Sequence, residues 1–128
     1  METLYRGFVE MHELEIAQSL LRTIDDWRDQ NGSPKVLSVR IEMGVLSGVD
    51  PDAMQYAWEA ACEFACGGMM KDCKLLIDHL PIKYECPGCG RDFESETLIS
   101  ACTFCGREYP RRKGGRELNL KSIEVDNV

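Results

Sequence analysis

Apolar residues recur at three- and four-residue spacing through Leu14, Ala17, Leu20 or Leu21, Ile24 and Trp27. That period predicts an amphipathic helix over about 11–29. The turn NGSP, residues 31–34, ends it with Asn-Gly followed by a proline. The pattern then changes to alternation: in KVLSVRIEMG, Val39, Ile41 and Met43 fall on one face and Arg40 and Glu42 on the other. This describes a strand with one buried face. A second helix opens at Asp50, a suitable N-cap, with Pro51 in the first helical position and Asp52 complementing the helix dipole. Its stripe is Met54, Ala57, Trp58, Ala61 and Phe64 or Ala65, and Gly67-Gly68 stops it. Two further strands are expected. In CKLLIDHLPIKYE, Leu75 and Ile77 share one face and Leu76 and Leu80 the other, and in ELNLKSIEV Leu118 and Leu120 alternate.

The stretch between those two strands, YECPGCGRDFESETLISACTFCGREYPRRKGG, has few apolar residues and a cysteine pair at each end. The order helix–strand–helix–strand, insert, strand predicts an α+β chain, with two helices packed on a small three-stranded antiparallel sheet. The expected division is residues 1–83 with 115–128 as one domain and 84–114 as an inserted zinc-ribbon-like four-cysteine domain.

Composition narrows the function. The chain has 128 residues, a net charge of −7 and seven cysteines. Affinity for nucleic acid comes mainly from Lys and Arg neutralising phosphates, so an acidic chain argues against it. The one basic stretch, REYPRRKGGR at 107–116, reads first as a solvated loop. No run reaches the roughly 18 apolar residues that span a bilayer, and the opening METLYRGFVEM lacks the apolar core of a secretory signal. The expected address is the cytoplasm, where cysteines stay reduced and an odd number of them points to metal rather than disulfides.

Cys86-Pro-Gly-Cys89 and Cys102-Thr-Phe-Cys105 are C-x-x-C pairs separated by twelve residues. Two intervening residues let a tight turn aim both thiolates at one ion, and two such knuckles complete the tetrahedron that zinc favours with sulfur. Gly90 and Gly106 follow the pairs, where positive φ lets backbone N–H groups approach the sulfurs. The insert has too small an apolar core to offset its ordering, whereas a structural zinc contributes on the order of 10–16 kcal/mol. Four thiolates leave no open position for a substrate, so the zinc reads as structural. Rubredoxin-like iron and paired redox dithiols are the other readings of the same spacing. Cys62 and Cys66 lie one helical turn apart and could share a ligand, although they and Cys73 read more simply as small buried fillers. His79, in the second strand, reads as an edge residue.

His12 by itself reads as an exposed residue of a first helical turn. The order of motifs gives it more meaning. Met-His-Glu-Leu-x-Ile-Ala-Gln-Ser-Leu-Leu from Met11, then IEMGVLSGVDPDAM, the two C-x-x-C pairs and GGRELNLKSIEV resemble the HypA/HybF family of hydrogenase maturation nickel chaperones over residues 11–126. The resemblance implies a nickel site at Met11, His12 and Glu13 and a zinc site at Cys86, Cys89, Cys102 and Cys105. A free α-amine, the next amide nitrogen and an imidazole form fused chelate rings, a nitrogen set suited to Ni(II).

Ten residues precede Met11 here. We expect the working chain to begin at Met11, with residues 1–10 an extension; otherwise nickel would use His12 with amides and carboxylates in a weaker site. The resemblance further implies a non-enzymatic protein that carries Ni(II) to [NiFe] hydrogenase, and in some cases urease. Its partners would be a maturation GTPase and the hydrogenase large-subunit precursor, and it allows a homodimer. No G-x-x-x-x-G-K-[ST] loop occurs in the chain, as expected if the GTPase is a separate protein. The competing reading is a zinc-ribbon nucleic-acid or transcription-associated module using residues 107–116, and a thiol redox protein is a third.

Overall fold

The structure is a computed structural model that describes the backbone of residues 2–68 and 70–126; side chains are described from residue 12 onward, except at 66 and 67. Two α-helices are described, α1 at Glu2–Gln30 and α2 at Pro51–Phe64, followed by a 3-10 turn at Ala65–Gly68. Six strands accompany them: β1 (Lys35–Gly44), β2 (Lys74–Leu80), β3 (Ile82–Glu85), β4 (Asp92–Ser95), β5 (Arg111–Gly114) and β6 (Leu118–Asp126). The strands form two three-stranded sheets, ordered β2-β1-β6 and β4-β3-β5. None of the described helices is long and apolar enough to cross a membrane.

The α+β class is as expected, with three departures in detail. Helix α1 begins at Glu2, nine residues before Met11, where the apolar period had placed its start. The apolar run over residues 73–85 is two strands, because Pro81 lacks the N–H that a continuous ladder would need. The cysteine insert also carries a sheet of its own, whose short strands have too few apolar residues to announce themselves.

The chain divides into two compact units. The first comprises Met1–Ile41, Val49–Leu76 and Leu120–Val128. Its core brings together Ala17 and Ile24 of α1, Val36, Val39 and Ile41 of β1, Met54, Trp58 and Cys62 of α2, and Leu75 of β2, all buried. Helix α2 starts as expected: Asp50 is extended, its Oδ1 accepts the Asp52 N–H at 3.0 Å, and Pro51 follows. The buried stripe of α2 ends at Cys62, whereas Phe64 is 83% exposed. Trp58 is fully enclosed and donates its indole N–H to the Cys73 carbonyl at 3.0 Å, which satisfies the one polar atom of that side chain. At the far end of α1, the N–H groups of Asn31 and Ser33 both close on the Arg28 carbonyl, with Gly32 at φ 81° between them.

The second unit comprises Glu42–Gly48 and Ile77–Asn119. Strand β3 pairs antiparallel with β4, placing Tyr84 opposite Phe93, and with β5, placing Tyr84 opposite Arg112. Ile82, Tyr84, Cys86 and Cys102 are buried. Tyr84 and Phe93 stack at 5.4 Å, Phe104 meets the edge of Phe93 at 6.1 Å, and Arg91 lies 4.9 Å above Phe104. A core this small leaves most of the ordering to be offset by something other than apolar burial.

Candidate metal centre

The four expected cysteines converge. The Sγ atoms of Cys86 and Cys105 are 3.6 Å apart and those of Cys89 and Cys102 are 3.8 Å apart; all four lie within 4.8 Å of one another. Four sulfurs about 2.3 Å from a central zinc, arranged tetrahedrally, stand about 3.8 Å from each other, so the donor set fits the ion it was expected to hold. It is the one group of three or more possible metal donors among the described residues.

The two halves repeat one local design. In the first, Cys86 N–H donates to the Arg91 carbonyl and Gly90 N–H to the Cys86 carbonyl, at 3.0 and 2.8 Å. In the second, Cys102 N–H donates to the Arg107 carbonyl and Gly106 N–H to the Cys102 carbonyl, at 2.8 and 3.0 Å. Gly90 and Gly106 sit at φ 74° and 78°, where a side chain would be strained. Each turn also points amides at sulfur: Phe104 N–H lies 3.3 Å from Cys102 Sγ.

Those amides set the acidity of the thiols. Backbone donation, chiefly from Cys89, holds Cys86 below the ordinary thiol range against the opposing effect of burial. Burial pushes Cys102 up, but the N–H groups of Cys105 and Phe104 outweigh it and bring that thiol down to about 6. At Cys105 the Arg107 amide favours the thiolate, yet the neighbouring Cys86, Cys102 and Cys89 sulfurs and burial prevail and raise it to about 11. The turns thus favour the thiolate at Cys86 and Cys102, whereas the crowded sulfurs disfavour it at Cys105. A divalent cation suits such a cluster, because it offsets the repulsion among closely placed thiolates.

The other expected site residues are arranged differently. His12 is exposed on α1, while Glu13, one residue on, is buried at 1% exposure. Glu13 Oε1 accepts the Asp50 N–H at 3.3 Å, and its Oε2 has no hydrogen-bond partner among the described residues. Met11 lies in α1 with its side chain outside the described residues, as does the side chain of Cys66. Cys62 and Cys73 are buried, and His79 is exposed on β2. Two residues of the basic run pair with acids of the same sheet: Arg111 meets Glu85 at 2.6 Å, and Lys113 meets Glu85 and Asp92 at 3.6 and 3.4 Å.

Comparison with known proteins ties this architecture to a lineage. Residues 11–125 match the family described as "Hydrogenase/urease nickel incorporation, metallochaperone, hypA". The chain belongs to the HypA family. It is 37% identical over 117 residues to a hydrogenase maturation factor HypA from Syntrophus aciditrophicus, covering 91% of this chain and all of that one. It is 34% identical over 116 residues to the HypA of Aquifex aeolicus, covering 91% and 98%. A solution structure of a HypA protein shares its fold with a TM-score of 0.66 at 26% identity, over 90% of this chain and 96% of that one. The solution structure of the Ni metallochaperone HypA from Helicobacter pylori superposes with a TM-score of 0.60 at 24% identity, over 88% and 96%. The family is one of hydrogenase maturation metallochaperones, and this member carries its four-cysteine metal site on the turns before β4 and before β5.

Proposed function

We propose that this HypA-family chain binds Ni(II) through His12, with Met11 and Glu13, and delivers it to the precursor of the [NiFe] hydrogenase large subunit in the cytoplasm. A structural zinc at Cys86, Cys89, Cys102 and Cys105 organises residues 84–114 as a folding domain of their own. The separate maturation GTPase supplies the nucleotide chemistry, and this chain acts as carrier rather than enzyme. The observation that carries the reading is the division of labour among donors: four thiols form a closed site fitted to zinc, while His12 stands exposed and free to exchange its cargo. The carboxylate of Glu13, held on the Asp50 amide, fixes the turn from which His12 projects.

Helix α1 continues through Met11 in this chain. Within a helix the amide of residue 12 belongs to the ladder, closing on the carbonyl four residues earlier. Nickel that takes main-chain nitrogens at 11 and 12 must release that ladder, whereas a chain shortened to begin at Met11 has free N–H groups and a free amine there. Calorimetric titration with nickel tests the reading on both lengths, with and without His12→Ala. We expect His12→Ala to abolish nickel binding with zinc content unchanged, and the shortened chain to bind more tightly. Nickel retained by His12→Ala overturns the assignment, and equal affinity for the two lengths removes the amine from the site. Restoration of hydrogenase but not urease activity in a strain lacking the protein would fix the client.

A further inference from the structure

The two metal-binding turns share more than their cysteines. Each reads Cys-x-x-Cys-Gly-Arg, as CPGCGR over residues 86–91 and CTFCGR over 102–107. Arginine is the one permanently charged side chain in either stretch. Its carbonyl closes its own turn, since Cys86 N–H donates to Arg91 and Cys102 N–H to Arg107. The side chains instead reach the opposite turn. The Arg91 guanidinium lies 4.9 Å from the centre of the Phe104 ring. Arg107 passes beside Gly88, where a Cβ would stand 2.7 Å from its Cδ and 3.2 Å from its Nη1. Phe104 and Gly88 are each the third residue of a Cys-x-x-Cys pair, so the crossing is reciprocal.

That third residue touches the sulfurs. Its amide donates to the first cysteine of the pair, Gly88 to Cys86 and Phe104 to Cys102, the latter at 3.3 Å. The same point beside Gly88 that meets Arg107 is 3.5 Å from Cys86 Sγ, so the guanidinium and that sulfur flank one spot. Gly88 has no positive φ, and what its missing side chain provides is room for Arg107. A divalent ion held by four thiolates keeps two negative charges in excess, and two guanidiniums supply the matching positive charge. Both arginines are exposed, so each contributes the modest, salt-screened attraction of a surface charge. A guanidinium over an aromatic ring adds a contact that holds one turn to the other.

Resting on the zinc reading of the four cysteines, we propose that Arg91 and Arg107 are positioning residues that clasp the two turns crosswise and retain the ion. Each arginine fastens its own turn through its carbonyl and the other turn through its side chain, and the pair offsets the charge of the tetrathiolate.

Zinc affinity of the full chain, read by competition with a chromophoric chelator, tests this. Arg91→Gln and Arg107→Gln leave the carbonyls in place, and each should weaken zinc binding roughly threefold, the double variant about tenfold. Arg91→Lys and Arg107→Lys should recover most of the loss. Gly88→Ala, which keeps the charge but displaces Arg107, should weaken binding as Arg107→Gln does and add nothing when combined with it. Cobalt(II) put in place of zinc should give the same tetrahedral thiolate absorption in every variant, and the deficit of the glutamine variants should shrink as sodium chloride is raised. Unchanged affinity in the double glutamine variant overturns the proposal. So does a deficit that is equal at all salt concentrations and is not recovered by lysine, because packing alone would then account for it. A wild-type chain that takes up no zinc overturns the zinc reading itself, and the clasp with it.

Discussion

Gly44 and Gly115 approach so closely that a Cβ on Gly44 would stand 2.1 Å from the Gly115 carbonyl oxygen. The backbone is pinned on both sides of this approach, because Gly44 N–H donates to the Glu117 carbonyl at 2.8 Å and Leu46 N–H to the Gly115 carbonyl at 2.6 Å. Gly115 N–H in turn donates to Glu117 Oε1 at 2.7 Å. Gly44→Ala therefore drives a methyl into main chain that cannot retreat. We expect a loss of stability at or above the upper end of the ~1–3 kcal/mol typical of overpacking. Gly48, by contrast, has open space around its Cβ position but φ 80°, and Gly48→Ala should cost only about 1–2 kcal/mol of backbone strain. Thermal unfolding of the pair reads the difference; equal shifts would show that the close approach relaxes.

Removal of metal should act selectively. The four-cysteine unit has only a small aromatic cluster, whereas Ala17, Ile24, Met54 and Trp58 give the helical unit a core independent of any ion. Chelation is expected to collapse the Tyr84–Phe93 stack and disperse the β3–β5 resonances while most far-ultraviolet helical signal survives. Loss of the helical signal at the same chelator concentration would contradict this.

Cys73 gives a pH signature. Burial raises its thiol from 9 to about 11, so the folded state favours the neutral form. The unfolded chain ionises first as pH rises, so stability from this group is complete below about pH 9 and declines toward pH 11. Denaturant unfolding across that window should show a steeper alkaline decline for wild type than for Cys73→Ala. Parallel curves would place the alkaline sensitivity elsewhere.

Asp50 serves α2 twice, through its side chain on the Asp52 amide and its own N–H on Glu13. Asp50→Ala removes only the first of these and should cost about 1 kcal/mol, as for other lost N-caps. Asp50→Asn keeps an acceptor and should cost much less. Chemical denaturation separates the two variants, and an equal cost would mean that the charge rather than the cap matters.

The start of α2 was legible in the sequence because its signals are local: cap, proline and acidic residue stand side by side. The metal centre was legible for a similar reason, since the spacing within each C-x-x-C pair dictates the turn. Glu13 was harder to read. Its neighbours place it in the triplet with His12, but its carboxylate is buried by a contact with a residue 37 positions away. The β4-β3-β5 sheet was also hidden, because Asp92–Ser95 and Arg111–Gly114 have one large apolar residue between them, Phe93. Their pairing rests on the turn hydrogen bonds at Cys86 and Cys102 and on the ring stack, neither of which leaves a hydrophobic period.

The matching turns at Cys86 and Cys102 make an ion between them a reversible cross-link that closes the twelve residues separating Cys89 from Cys102. Closure of a flexible loop grows more costly only with the logarithm of its length, by about 0.6 kcal/mol per doubling. Residues 96–100 can therefore lengthen at little thermodynamic cost. The two residues inside each pair have no such latitude, since one more would swing a sulfur out of the cluster. Insertions in this lineage should accordingly gather between the two turns and spare each of them.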